Sequence, residues 1–373
     1  MSGPTQIPGF WAIVPAGGAG TRLWPLSRRR SPKFLHDLTG SGRTLLQETW
    51  DRLTPIAADR VVVVTGRDHA PEVARQLPGL PAAYLLAEPS PRDSMPAIAW
   101  AAAVVAARDP DAVIGSFAAD HVISRVDGFH AAVREAVALA RAGLLVTLGI
   151  TPTYAATGFG YIREGMPLGV EGAPSGCAVV EFVEKPDAAR AETYLASGEF
   201  RWNAGMFVVK ASVLLDLVEQ WHPTMAADVR ALAAEPGRLD ELWPDLTKIA
   251  IDHAVAEPAA AAGRVAVVPA TFGWDDVGDF DSLAGLLEAH SASAAGPAAA
   301  AGLSLIGDPA DLVSVDSTGL VVARAGRLVA LIGVDDLVVV DTPDALLVVP
   351  RSRAQEVKGI VDRLAGIDRD HLR

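Results

Sequence analysis

Short runs rich in β-branched residues alternate along this chain with longer Ala- and Leu-rich segments of helical spacing. That alternation limits the fold to βαβ units around a mostly parallel sheet. Residues 60–65 are followed by the helical segment 71–77, and residues 112–117 by 129–142. Further strands are expected over 144–150, 178–183 and 206–210, separated by loops rich in Gly, Pro and Thr. The first strand is the apolar run at 11–15, which breaks into AGGAGTRLWPLSRRRSPK. With 373 residues, half of them hydrophobic, the chain is too large for one small core. A large α/β domain and a smaller one are expected.

Composition changes at 290–301, a low-complexity stretch of Ala, Ser and Gly that reads as a loop or linker. Beyond it, short apolar runs at 312–315, 320–323, 328–332, 337–340 and 346–349 are spaced by Gly, Asp and Pro, with no helical period until 353–364. This pattern predicts a small β-rich domain of β-helix type ending in a helix. The expected division is 1–288, a linker at 289–301, and 302–373. A β-rich domain exposing many apolar positions is better covered by a second copy, so a homodimer is expected.

The formal charge of −13 requires any polyanionic partner to be met by a local cluster of Lys and Arg, which argues against nucleic acid. Cys177 is the single cysteine, so no intrachain disulfide and no cysteine-rich zinc site can form, in keeping with a reducing cytoplasm. The opening MSGPTQIPGF lacks an export signal, and the longest apolar stretch, 97–107, is well short of the ~20 residues a membrane helix needs. A soluble, cytoplasmic chain is expected.

The glycine-rich stretch after the first strand reads as a phosphate-handling loop. Gly17, Gly18 and Gly20 remove side chains where backbone N–H groups would approach phosphate oxygens, and Arg22 and Lys33 bring positive charge to the same place. The loop lacks the third glycine of the dinucleotide fingerprint, and GxxxxGK[ST] does not occur. A tight turn accounts for the glycines but not for Arg22 and Lys33. Of Arg28, Arg29 and Arg30, at least two read as a solvated basic loop. Asp120 ends the run AVIGSFAAD, and Asp275 and Asp276 lie in GWDDVG. An aspartate at the carboxyl end of a parallel strand points into the ligand crevice, where magnesium needs one or two carboxylates. Taken singly, either position is better read as a helix cap or turn.

Together these motifs give the chain a family resemblance. GGAGTRLWPLSR followed by PK, then EPSPR at 88–92, AADH at 118–121, TGFGYI at 157–162, FVEKP at 182–186, WNAGMF at 202–207 and GWDDVG at 273–278 stand in the order found in nucleotide-sugar pyrophosphorylases. The chain most closely resembles the branch that makes GDP-mannose, the mannose-1-phosphate guanylyltransferases, which Trp24 within the loop favours. The resemblance covers residues 11 to about 287 and implies a Rossmann-like nucleotidyltransferase domain with a mixed, mostly parallel sheet. The C-terminal stretch is similar to the family's short β-helix.

The resemblance implies a role for each matching residue. The backbone from Gly17 to Thr21 would cradle GTP, and Arg22 and Lys33 would neutralise the triphosphate and the departing pyrophosphate. Asp120 and Asp276 would hold Mg2+, Asp275 standing where the family's WSDVG has serine. Glu184 would bind sugar hydroxyls, Lys185 the sugar phosphate, and Asn203 with Gly158 the rest of the hexose. Glu88 and Arg92 belong to the nucleotide-side loop. The implied reaction joins GTP and mannose 1-phosphate into GDP-mannose and pyrophosphate. A sugar phosphate, with a second pKa of ~6, is already largely a dianion at neutral pH and needs no general base. Repulsion is the obstacle, and metal, arginine and lysine offset it. His121 beside Asp120 reads as a structural histidine, and Trp24 as a packing residue.

Two departures stand out. Asp93 and Ser94 replace the asparagine and threonine of the usual EPxxRNT, and PKFLH is one residue shorter than PKQFL. The chain ends soon after the β-rich domain without an isomerase domain, so a single activity is expected. A pyrophosphorylase for another nucleotide or sugar would keep Arg22, Lys33, Asp120, Asp276 and Lys185 while differing at 88–94 and in the hexose loops. A noncatalytic sensing subunit would lose loop charges that are present here.

Overall fold

The computed structural model describes residues 6–293, 302–367 and 369–373. They group into two compact units that are not linear in sequence. Among the described residues, the first comprises 6–17, Thr49–Ala119 and Ile123–Trp274, and the second Gly18–Glu48, Asp120–Val122, 275–293, 302–367 and 369–373.

The first unit is built on nine strands: β1 (Phe10–Ala16), β2 (Val61–Gly66), β3 (Leu85–Glu88), β4 (Val113–Ser116), β5 (Leu145–Ile150), β6 (Gly160–Pro167), β7 (Cys177–Val183), β8 (Phe200–Lys210) and β9 (Val265–Ala270). Their order is β3-β2-β1-β4-β8-β5-β9-β7-β6, with β8 also pairing β6. Strands β3, β2, β1 and β4 pair in parallel, as do β5 and β9. Strand β8 runs antiparallel to β4, β5 and β6, which makes the sheet mixed. The alternation of strand and helix therefore yields the expected architecture.

The helix Ser94–Ala106, SMPAIAWAAAVVA, carries no charge and is buried almost all round. A helix apolar on every side belongs in a core. It packs with Ala211–Trp221 and Pro223–Ala234, and Trp100 meets Trp243 edge-on at 5.3 Å. The helix Val126–Arg141 instead buries one stripe through Phe129, Val133, Ala136 and Ala140.

Strand β8 corrects an expectation. The strand expected over 206–210 begins six residues earlier, at Phe200. Asn203 pairs with Gly149 on one side and Gly160 on the other, and ladders on both edges override the weak strand preference of Asn and Gly. The motif WNAGMF thus lies within a strand.

In the second unit, Leu303–Ile306, Gly319–Ala323 and Leu337–Asp341 stack in parallel, and Leu346–Pro350 closes the sheet antiparallel. Leu312–Val315 and Val329–Ile332 form a second parallel pair. These are the coils of a short β-helix. Its core brings Leu320, Val322, Val338 and Val340 together with Phe280 and Leu283, and with Leu23, Trp24 and Leu26 from the glycine-loop segment. Trp24 is buried, and its Nε1 donates to the Leu372 carbonyl at 2.7 Å. Arg28 grips Asp344 with two hydrogen bonds of 2.7 and 2.5 Å, while Arg29 and Arg30 are exposed.

The strand Leu303–Ile306 escapes the sequence pattern. The helix Phe280–Ser293 occupies the first residues of the stretch expected as linker, and residues 294–301 lie outside the described residues. The terminal helix expected at 353–364 is a 3-10 turn, Arg351–Glu356, followed by an α-helix, Val357–Leu364. Among the described residues, no helix is long and apolar enough to cross a membrane.

Removing the Trp24 indole should cost about 3–5 kcal/mol, the range for large-to-small changes in a packed core. Urea unfolding of Trp24→Ala against the wild type measures it, and a loss below ~1 kcal/mol would contradict its burial in the β-helix core.

Candidate active site

In the second unit a lysine organises the acidic residues. Lys33 is 7% exposed, and its Nζ lies 2.7 Å from Asp120 Oδ2 while donating to the Asp276 carbonyl at 2.5 Å. A longer bond of 3.4 Å reaches the Val277 carbonyl. Burial opposes ionisation of Asp120, but Lys33, with His121 assisting, outweighs it and holds the carboxyl below its ordinary value. Asp276 behaves oppositely. Burial pushes its carboxyl up to about 6 against the pull of Lys33, with Asp275, Asp120 and Asp279 adding repulsion.

Asp275 and Asp276 are told apart by their partners. Asp275 Oδ1 accepts from Ser282 Oγ and from the Val277 N–H, each at 2.6 Å. Asp279 Oδ1 caps the helix Phe280–Ser293 by accepting from the N–H groups of Asp281 and Ser282. No hydrogen bond to the Asp276 carboxylate is found among the described residues, and it faces three other acids with Lys33 as the cation. A carboxylate without donors, crowded by other acids, suits a divalent cation such as magnesium. Among the described residues no group of three or more His, Cys, Asp or Glu is arranged around a metal position. Asp120 and Asp276 are close enough to repel one another, and magnesium takes one or two carboxylates from a protein.

The glycines of the loop differ in purpose. A Cβ at Gly17 or Gly18 would meet nothing within 4 Å, leaving their backbone open to a ligand. Gly20 has φ +55°, and a Cβ there would fall 2.9 Å from Lys33 Cβ and 2.8 Å from Ser27 Oγ, so glycine is needed to seat Lys33. Thr21 opens a 3-10 turn, Thr21–Leu23, that buries Leu23 and leaves Arg22 exposed.

A second polar cluster lies in the first unit. Glu184, at the end of FVE, pairs with Lys185 at 3.1 Å, and Lys185 Nζ is exposed. A Cβ at Gly160 would sit 2.5 Å from Glu184 Oε2 and 3.2 Å from Asn203 Cβ, so the missing side chain lets Glu184 approach Asn203. Asn203 is buried and accepts at Oδ1 from Thr147 Oγ1 at 2.9 Å and the Gly205 N–H at 3.1 Å. Its Nδ2 donates to Asp252 Oδ1 at 2.6 Å. Burial and the nearby Asp252 raise the Glu184 carboxyl, against Lys185. Gly158 lies exposed in the preceding loop.

The loop at 88–94 is pinned from behind. Arg92 donates to the Pro244 carbonyl, Trp243 Nε1 to the Ser90 carbonyl at 2.8 Å, and the Ile251 N–H to Ser94 Oγ at 2.9 Å. Ser94 therefore keeps a hydroxyl role in the fold. Glu88 is 8% exposed, its Oε2 has no hydrogen-bond partner, and burial alone pushes its carboxyl up to about 7. Glu88 and Arg92 are not bonded to one another.

Three motif residues that are not glycine adopt positive φ: Asp93 at +60°, Lys185 at +46° and Val277 at +46°. Each costs ~1–3 kcal/mol, a strain that tends to collect at functional sites. The structure thus gathers Lys33, Asp120 and Asp276 in one cluster and Glu184, Lys185 and Asn203 in another. Thr147, Gly160 and Asp252 escaped the sequence reading. The glycine of TGFGYI offered a signal for Gly160, whereas Asp252 lies in an ordinary-looking helical stretch.

A mixed α/β sheet together with these motifs in this order points to a nucleotidyl-transferring class of protein. The chain belongs to the nucleotidyl transferase family, whose model matches residues 11–293, and a model described as the MannoseP isomerase/GMP-like beta-helix domain matches residues 310–364. It is 40% identical over 368 residues to the xanthan biosynthesis protein XanB of Xanthomonas campestris pv. campestris, covering 96% of this chain and 73% of that protein. It is 38% identical over 366 residues to the mannose-1-phosphate guanylyltransferase of Escherichia coli K12, covering 95% and 73%. Among solved structures it is similar to a Thermus thermophilus protein described as a mannose-1-phosphate geranyltransferase. That match has a TM-score of 0.83 and 33% identity, and covers 96% of this chain and 99% of the other.

The Glu88 carboxyl gives a pH signature. Its folded pKa of about 7 lies above the ordinary 4.5, so the folded state holds its proton longer, and this group's contribution to stability falls as pH rises from 4.5 through 7. Replacing it by Gln removes that loss. Between pH 4.5 and 8 the stability of Glu88→Gln should gain about 3 kcal/mol on the wild type, measured by urea unfolding without nucleotide. A pH-independent difference would refute the assignment.

Proposed function

We propose that this protein is a mannose-1-phosphate guanylyltransferase, joining GTP and mannose 1-phosphate into GDP-mannose and pyrophosphate. The observation that carries the reading is the Lys33 cluster, in which Asp120 is held ionised beside an undonated Asp276 carboxylate. The names of relatives at 38% and 36% identity support the substrate pair.

In this reading, an oxygen of the sugar phosphate attacks the α-phosphorus of GTP, the new O–P bond forms, and the bond from that phosphorus to the bridging oxygen breaks to release pyrophosphate. The nucleophile is already a dianion, so no residue must take a proton from it. The chain's own task is to bind, align and neutralise. The backbone from Gly17 to Thr21 cradles the triphosphate, which the open space at Gly17 and Gly18 permits. Arg22, exposed on its 3-10 turn, meets the departing pyrophosphate, and Lys33 adds positive charge while keeping Asp120 ionised. Asp120 and Asp276 would hold Mg2+, which supplies neutralisation of the phosphate charge when bound.

Lys185 meets the phosphate of the sugar, and Glu184, Asn203 and Gly158 its hydroxyls. The exposed Lys185 ammonium, beside a half-buried acceptor and an oriented amide, suits a ligand bearing both phosphate and hydroxyl groups. Glu88 and Arg92 shape the nucleotide side. We also assign a homodimer, because Val313, Val315, Leu328 and Ile332 of the β-helix are more than half exposed. The lone thiol of Cys177 suits a cytoplasmic setting.

Turnover of mannose 1-phosphate with each of the four nucleoside triphosphates tests the reading, with GTP expected to be preferred. Equal rates with all four would overturn the guanylyl assignment. Asp276→Asn and Arg22→Ala should each reduce turnover by about 10²-fold or more while thermal unfolding stays cooperative. Near-normal turnover in either would remove that residue from its role.

A further inference from the structure

Asp252 stands outside every motif, yet its carboxylate is placed against the sugar-side cluster. It opens a π-helical turn, Asp252–Ala256, a rare form that is frequent at functional sites. The turn is tied down just before it begins, by the Ile251 N–H donating to Ser94 Oγ. Asp252 Oδ1 then receives the Asn203 side-chain amide at 2.6 Å.

The chemistry of the partners fixes the orientation of that amide. The Gly205 N–H can only donate, so Asn203 must turn its oxygen toward it, and Thr147 Oγ1 donates to the same oxygen. A carboxylate can only accept, so Asn203 must turn its nitrogen toward Asp252. Both acceptor positions of Asn203 Oδ1 are filled and one of its two N–H groups is used. A single N–H remains for a ligand.

We infer that Asp252 is a positioning residue for the sugar 1-phosphate, holding Asn203 so that it presents one N–H donor and no acceptor to an oxygen of that ligand. Asp252 acts through Asn203. Glu184 lies in the same cluster, close enough to feel the charge of Asp252, and supplies the acceptor that Asn203 withholds. A hexose hydroxyl can then accept from Asn203 while donating to Glu184, and a ligand group that can only donate is rejected at Asn203. The inference rests on the proposed assignment of Glu184, Lys185 and Asn203 to the sugar phosphate.

Steady-state kinetics on the full chain with GTP and mannose 1-phosphate test it, using Asp252→Ala, Asp252→Asn, Asn203→Ala and the Asp252→Ala/Asn203→Ala double variant. Asp252→Ala should raise KM for mannose 1-phosphate about 10- to 100-fold while KM for GTP changes less than about twofold. Asp252→Asn, which keeps an acceptor oxygen, should recover most of that loss. The double variant should be no worse than Asn203→Ala, because the partner through which Asp252 acts is gone. Equal rises in both KM values, or a double variant whose defect is the product of the two single defects, overturns the inference and leaves the proposed reaction standing. A wild type with no turnover of this substrate pair overturns both. If Asp252→Ala does not fold, Thr147→Val loosens the same amide from its other side. It should show the same selective rise, and an unchanged KM for mannose 1-phosphate would be equally decisive against the inference.

Discussion

The buried ammonium of Lys33 is the contact on which the second unit's site depends. An unpaired charge in the interior costs several kcal/mol, and Lys33 avoids that cost by meeting one carboxylate and two carbonyls. Those partners come from two further segments, 120–122 and 275–277. Satisfying one side chain therefore brings the glycine-loop segment, Asp120 and the GWDDVG turn together. Gly20 is part of the same constraint, since a side chain there would collide with Lys33 Cβ. Because Asp276 offers Lys33 its carbonyl, its carboxylate is left to crowd against other acids.

The three loops that carry Asp93, Lys185 and Val277 share a backbone device. Each turns sharply through a left-handed residue that is not glycine, and for a β-branched, fully buried residue such as Val277 that conformation is rare. The surrounding contacts hold it: Val277 N–H is bound by Asp275, and its carbonyl by Lys33. Strain of this kind persists only where neighbours over-determine the path, and the result is a rigid loop with a fixed side-chain direction.

The cluster around Asn203 reaches rigidity by another route. Asn203 sits mid-strand between two glycines, Gly149 and Gly160; Glu184 fills the space that Gly160 leaves, Val267 and Arg201 fill that of Gly149, and Thr147 and Asp252 tether the amide. A side chain on a strand and bound on both sides of its amide has little freedom to lose when a ligand arrives.

The sequence alone determined the α/β class, most strand positions, the β-rich C-terminal segment and the order of the family motifs, because hydrophobic period and turn chemistry are local properties. It told Asp275 from Asp276 only by resemblance and left Arg28 undistinguished from Arg29 and Arg30, since neighbouring identical residues have no local distinction. The partners decided those cases: Asp344 holds Arg28, and Ser282 and the Val277 N–H occupy Asp275. Tertiary structure likewise extended the strand at Met206 back to Phe200, joined the glycine-loop segment to the β-helix core through Leu23, Trp24 and Leu26, and brought Asp252 to Asn203 across 49 positions of sequence. Pairing, burial and electrostatics act through space between residues far apart in the chain, and no local pattern records them.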